Sequence, residues 1–420
     1  MIQWQIGRVR EPISERAGMQ EVRVEMTDGK LEKALHDTTV HEPLQAGDIV
    51  WLNTTAVQLQ LGTGGYHFVH AVIPRRDSTS SQAEPRAEDR TSASVVHAAD
   101  VAGFHAHTSG VHLGDESLYQ AVNKSTARRR PPSSGHMMKL KYTSLQRAVL
   151  AAEEEASPHH EVFLQHQSID GTPVLIGELH SMLPIACAWL HHRSPELRIA
   201  YVMSDGGALP ISLSRHVAAL KQMSWLCGTV TYGQAYGGDL ETMNKFTALI
   251  AARHILGADV IVVCMGPGIA GTGTPLGHTG TEAGELVNAV HRLGGMPIMM
   301  ARMSGADVRP RHYGLSHHLL TNLEIVAACP AILPLHRQLP DRLRPIVEQQ
   351  LEAVAGSKQH QIEWLERPQV DELESALHAY PLKISTMGRT VAEDPTFYMN
   401  VASAAEYAGR YLDHSDTHQA

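Results

Sequence analysis

The chain alternates between short apolar runs and polar, glycine-rich breaks, and the character of the runs changes twice along its length. Residues 1 to about 75 carry runs of strand length. Gln3-Trp-Gln-Ile6, Glu21 to Met26, Ile49 to Leu52 and Tyr66 to Ile73 read as strands, with Asp28-Gly29 as a hairpin turn and Gly47-Asp48 as a break. Short strands at this spacing predict a small all-β domain, a barrel or a sandwich. The glycine-dense Gly62 to Gly65 reads as a turn between two of them. Residues 76 to 135 lose all period and are polar, with Ser, Pro and charge; they are read as a flexible linker or insertion, and Arg128 to Arg130 as a solvated charge cluster.

From His136 the pattern becomes regular. Met137 to Tyr142 predicts a strand, and Thr143-Ser-Leu-Gln146 a capping box opening a helix to about Ala156. Pro173 to Ile176, Arg198 to Met203, Gly228 to Thr231, Asp259 to Met265 and Met296 to Met303 follow as buried strands, each ending in a polar or glycine-rich loop. Asp239 is expected to N-cap a helix whose C′ residue is Gly257. Further helices follow from about Pro340, the last near Thr396 to Leu412, with residues 413–420 expected as a disordered tail. Apolar strands alternating with helices predict an α/β domain over residues 136–412, its mostly parallel sheet covered by helices on both faces. Right-handed crossovers then place every strand-to-helix loop on one carboxyl edge, where open sheets of this kind bind ligands.

Composition narrows the partners. A formal net charge of -9 argues against a nucleic-acid groove, which needs clustered Lys and Arg. No apolar run approaches the length of a membrane span, and no charged-then-apolar leader opens the chain. Cys187, Cys227, Cys264 and Cys329 lie in apolar contexts without CxxC spacing, as buried thiols of a reducing compartment do; a cytoplasmic protein is expected. The 27 histidines spread over nearly the whole chain, so one histidine taken alone carries little weight. Self-association is left open.

Two consecutive loops carry the candidate chemistry. Gly266-Pro-Gly-Ile-Ala-Gly271 matches G-x-G-x-x-G after a strand, but Gly273, Pro275, Gly277 and Gly280 postpone the helix and the next strand ends at Arg302 rather than an acid, so a dinucleotide fingerprint is rejected. What survives is an anion nest in which Gly266, Gly268, Gly271, Thr272, Gly273, Thr274 and His278 supply backbone and hydroxyl donors. Its alternative is a structural loop. Arg302, Arg309 and Arg311 add guanidinium forks for carboxylate or phosphate, with Asp307 among them as an acid or as an internal ion-pair partner. His312, His317 and His318 are candidates for acid/base work or metal ligation, although no H-E-x-x-H spacing is present. Asp205 and Asp239 are expected on the same edge as catalytic acids, or as caps.

The segments Leu52 to Ala56 with Gly62 to Phe68, Tyr201 to Pro210, Gly237 to Asp239, Gly266-Pro-Gly268 with Gly271 to Thr274, and Arg302 to His318 resemble an uncharacterised bacterial family, the domain-of-unknown-function-3866 family. The resemblance implies an intact fold over both parts, with 76–135 outside it, and implies no activity or cofactor. The expectation is an enzyme acting on an anionic small molecule, phosphorylated or nucleotide-derived, at the carboxyl edge. A non-catalytic metabolite-binding or regulatory module is the alternative, and a metal-dependent hydrolase a third. An active site gains if Asp205, Arg302, Asp307 and His317 share an open cleft; a scaffold gains if they pair off beneath a closed surface.

Overall fold

A computed structural model of the chain describes residues 3–58, 64–73, 137–141, 145–355 and 360–417. The linker expected over 76–135, with Arg128 to Arg130, falls outside these, as do Gly62, Thr63, Thr143 and Ser144.

Strands β1 (Trp4–Arg16), β2 (Met19–Met26), β3 (Leu31–His36), β4 (Ile49–Asn53) and β5 (Tyr66–Ile73) close into a barrel in the order β1-β2-β3-β5-β4, with α1 (Thr55–Gln58) between β4 and β5. Every pairing is antiparallel except β3 with β5. The inward residues Val9, Val22, Val24, Ala34, Val50 and Leu52 are fully buried and form the barrel core. Glu21 joins two barrel residues to the second part: Arg16 Nη1 and, from the second part, Arg215 Nε each donate to its Oε1 at 3.0 Å, and Tyr66 Oη donates to its Oε2 at 3.0 Å. Burial alone would raise the Glu21 pKa, but the Arg215, Arg16 and Tyr66 donors outweigh it and hold the carboxyl below its ordinary value.

The second part is built on an eight-stranded sheet. Chain order runs β6 (Met137–Lys139), β7 (Arg147–Val149), α2 (His160–Gln165), β8 (Pro173–Gly177), α3 (Met182–Arg193), β9 (Ile199–Ser204), α4 (Arg215–Gln222), β10 (Gly228–Tyr232), β11 (Leu240–Thr242), α5 (Lys245–Ile250) and β12 (Val260–Met265). It continues with α6 (Glu282–Arg292), β13 (Met296–Met299), β14 (Met303–Ser304), β15 (Gly314–Leu315), α7 (His317–Thr321), β16 (Ile332–His336), α8 (Arg344–Ala355), β17 (Gln361–Leu365), α9 (Val370–His378) and α10 (Pro395–Thr417). The sheet order is β11-β10-β9-β12-β8-β13-β16-β17, parallel throughout. Along β12, Val260, Val262 and Cys264 face one core and Ile261 and Val263 the other, so both faces are covered as the apolar runs predict. Burial raises the Cys264 thiol pKa to about 12, which makes it an inert packing group. No helix among the described residues is long and apolar enough to cross a membrane.

Several expectations give way to tertiary context. Over the described residues from Leu145 the helix expected to about Ala156 is not formed: Arg147–Val149 is strand β7, paired with β6, and Ala151 bridges to Glu241. Helix-prone Ala and Glu are overridden because Glu154 Oε1 accepts from the Met137 and Ala151 amides, while Lys139 Nζ, fully buried, donates to Glu241 at 2.6 Å. Asp239 is not a helix cap. The chain returns from β10 to the parallel β11 without a helix, and Asn244 caps α5 in a capping box with Thr247. Gly257 does take the left-handed conformation at the helix end (φ 63°). The run Met296 to Met303 breaks at Met299, and Met303–Ser304 pairs outside the sheet with Gly314–Leu315. The last helix runs on to Thr417, five residues into the stretch expected as tail, with Asp413 ion-paired to Arg193.

Candidate functional site

The sheet order reverses around β8. Its two neighbours, β12 and β13, follow it in sequence, and the chain steps over β8 between them. The loops after these three central strands therefore meet at a topological switch point, the place where such sheets take ligands. They bring Glu178, His278 and Arg302 together. The β14–β15 turn and the start of α7 add His312, Ser316, His317 and His318.

Glu178 follows directly on Gly177 at the end of β8 and is almost completely buried. Its Oε1 accepts from Asn322 Nδ2 at 3.3 Å; its Oε2 has no hydrogen-bond partner. That oxygen lies 3.8 Å from Arg302 Nη1 and 3.7 Å from His318 Nδ1. Burial raises the Glu178 pKa to about 7 against the opposing pull of Arg302. Sequence reading missed this residue.

Arg302, 5% exposed, donates from Nη1 to His318 Nδ1 at 3.0 Å. Four imidazoles pack beside it. The His278 and His318 rings stack at 3.8 Å, and the His312, His317 and His318 rings lie 4.2 to 5.3 Å apart. Ser316 caps α7 by accepting from the His318 amide, and its hydroxyl also bonds His312 Nδ1 at 2.9 Å. Burial, reinforced by the arginines and neighbouring rings, lowers the pKa of His312 to about 3 and of His318 to about 2, and lowers His317 and His278 in the same direction. Neither ring nitrogen of the buried His278 has a hydrogen-bond partner.

The glycine-rich loop spends the Thr272 donors of the expected nest on itself. It folds on itself as an exposed hairpin: Gly271 bridges His278, the Thr272 amide and hydroxyl both donate to the Gly277 carbonyl, and the Thr272 and Thr274 hydroxyls meet at 3.1 Å. The Thr279 amide is spent on the Ala270 carbonyl. Gly268 and Gly273 take φ of 104° and 81°, which explains the glycines as turn formers. Gly266 is a packing position, where an added Cβ would lie 3.0 Å from Leu209. Of the loop residues, His278 is the one placed in the cluster.

Asp307 is taken up by arginine. Its Oδ1 accepts from the Arg309 amide and Nε, and its Oδ2 from Arg309 Nη2 at 2.7 Å and Arg389 Nη2 at 3.0 Å. The Arg309 guanidinium and its backbone bond, with Arg389, hold the carboxyl far below its usual range. It shapes the loop. Arg311 is exposed, with its Nε 3.4 Å from His312 Nε2.

Asp205 lies apart, beyond β9, where its Oδ1 accepts from the Ala235 amide at 3.0 Å; burial raises its pKa, and nearby Glu282 adds to the rise. Asp239 is at the opposite end of the sheet, bonding the amide and hydroxyl of Thr229 beside the start of β10, because the register sets it opposite that residue. The four side chains that had to share an open cleft therefore do not: Asp205 is elsewhere, Asp307 is ion-paired, Arg302 is buried, and only His317 is half-buried within the cluster. A largely apolar cavity of about 260 Å³ is lined by Trp4, Phe68, Leu209 and Tyr236 among others, and none of the cluster residues lines it.

No curated protein and no solved structure matches the chain. Residues 33–91 and 105–405 match the family described as protein of unknown function, DUF3866. The match takes in 76–91 and 105–135, which the resemblance was expected to leave out, and omits β1 and β2. With most of its length so matched, the chain belongs to the DUF3866 family.

Proposed function

We propose that the protein is an enzyme acting on an anionic small molecule, phosphorylated or nucleotide-derived, at the Glu178–Arg302–histidine cluster. The observation that carries this reading is the unbonded Oε2 of Glu178, buried between Arg302 and His318 at a switch point. Leaving a buried polar atom unpaired costs about 1–3 kcal/mol, a cost that function explains and packing does not. Arg302, with Arg311 at the rim, holds the anion by its guanidinium fork in place of the backbone nest. Glu178 takes or gives the proton. The substrate enters as the Gly271–His278 hairpin lifts off the cluster.

The rival is a non-catalytic metabolite-binding module, favoured by the closure of the cluster and the ion pairing of Asp307. A thermal-shift screen with inorganic phosphate, sugar phosphates and nucleotides tests both. A ligand at a hundredfold its Kd stabilises the fold by about 2.7 kcal/mol, and Arg302→Met abolishes the shift. No shift from any phosphate compound sinks the anion reading. A shift retained in Glu178→Gln, with no product formed by the wild type, selects the binding module.

A further inference from the structure

We propose that His312, His317 and His318 bind one divalent transition-metal ion of the zinc type, with Ser316 and Glu178 orienting two of the imidazoles from behind. Each histidine offers one ring nitrogen such that the three lie within 4.8 Å of one another. Three imidazoles and no fourth protein ligand among them make up the ligand set of a catalytic zinc site rather than a structural one. Neutral imidazole also suits cobalt, nickel and copper.

What lies behind the rings points the same way. His312 Nδ1 is bonded to Ser316 Oγ, so a metal would take Nε2 in place of the long 3.4 Å contact from Arg311 Nε. His318 Nδ1 faces Glu178 Oε2 at 3.7 Å, and a carboxylate behind a ligating imidazole is the recurring second sphere of such sites. In the metal-free protein Arg302 donates to His318 Nδ1, so the neutral ring carries its proton on Nε2. A metal on Nε2 would require the other tautomer, with the proton on Nδ1; the Arg302 bond to that nitrogen is then given up, and the unbonded Glu178 oxygen is the acceptor that replaces it. Glu178 and the cation then offset one another within a cluster that otherwise carries Arg302 and Arg311. The inference deepens the function proposed above and rests on it for the substrate: an anion held by arginine beside a metal.

Full-length protein stripped with EDTA is dialysed against Zn²⁺, and separately against Co²⁺, whose visible spectrum reports nitrogen ligation. The expected result is one ion per chain. Uptake is weakened at least tenfold in His317→Ala and by about 10–100-fold in Glu178→Gln, and is unchanged in the exposed control His291→Ala. His317 is half-buried, so its variant is expected to fold; circular dichroism checks this, and His317→Gln replaces it if it does not. Equal uptake by wild type and the His317 variant, or no uptake by the wild type, overturns the metal site. Inorganic phosphate in the thermal-shift assay separates the two ideas. Protection without metal uptake removes the metal and keeps the anion reading, whereas metal uptake without protection removes the anion reading alone.

Discussion

Glu178 and Arg302 sit 3.8 Å apart, both buried, too far for a hydrogen bond and close enough to feel each other's charge. Arg302 is what keeps the Glu178 pKa from rising further than about 7.

Arg302→Met therefore raises the Glu178 pKa by about a unit or more, each unit being about 1.4 kcal/mol of lost preference for the carboxylate. A carbon-13 titration of the glutamate carboxyls in metal-free protein reads the shift directly. An unmoved resonance would falsify the coupling.

His180 sets an acid limit to stability. Its ring is held between the Met265 carbonyl (3.1 Å) and the Ser214 hydroxyl (2.6 Å), and burial lowers its pKa to about 4 from an ordinary 6.5. Between those values the unfolded chain binds the proton and the folded chain does not. Stability is then complete above 6.5 and falls as the pH drops toward about 4, by up to about 1.4 kcal/mol per pH unit from this group. Urea titrations across that range should show a shallower fall in His180→Gln; an identical slope overturns the assignment.

Asp307→Asn strips Arg309 and Arg389 of their shared carboxylate. Asp307 is buried while both arginines keep some exposure, so the cost is set at about 2–3 kcal/mol, below the 3–5 range of a fully buried pair. A double-mutant cycle with Arg309→Ala should return a coupling of about 1 kcal/mol or more; additive losses contradict it.

Glu21→Ala loosens the barrel. Arg16 and Tyr66 of the barrel and Arg215 of the second part lose their common acceptor, and about 1 kcal/mol of attachment goes with the half-exposed Arg215 pair. Calorimetry should resolve an early barrel transition from the main one. A single unshifted transition means that the barrel is held by other contacts.

Much of this architecture is written in the apolar runs. Val260 to Met265 is long, apolar and glycine-terminated, and a buried parallel strand is what such a run must be. Gly257 and Gly294 mark helix ends because the left-handed turn there demands them. The misreadings share one cause, long-range pairing. Nothing local says that the chain leaves the sheet after Met299, or that β10 reaches β11 without a helix and carries Asp239 to the far edge. Glu178 carries no motif around it in the sequence. Its meaning comes from Arg302 and His318, which the fold brings to it from across the sheet order. The histidines were legible as a cluster only because three of them happen to be close in sequence.

The position of β8 has a consequence for how the protein is made. It emerges early from the ribosome, yet both its hydrogen-bonding edges wait for strands that begin at Val260 and Met296. Until those arrive, a fully apolar strand has no native neighbour, and folding is slowed by the loop closures that bring them in. The Glu178 cluster is thus assembled among the last features of the molecule. A truncation ending before β13 leaves a chain without the cluster and with an open edge on β8.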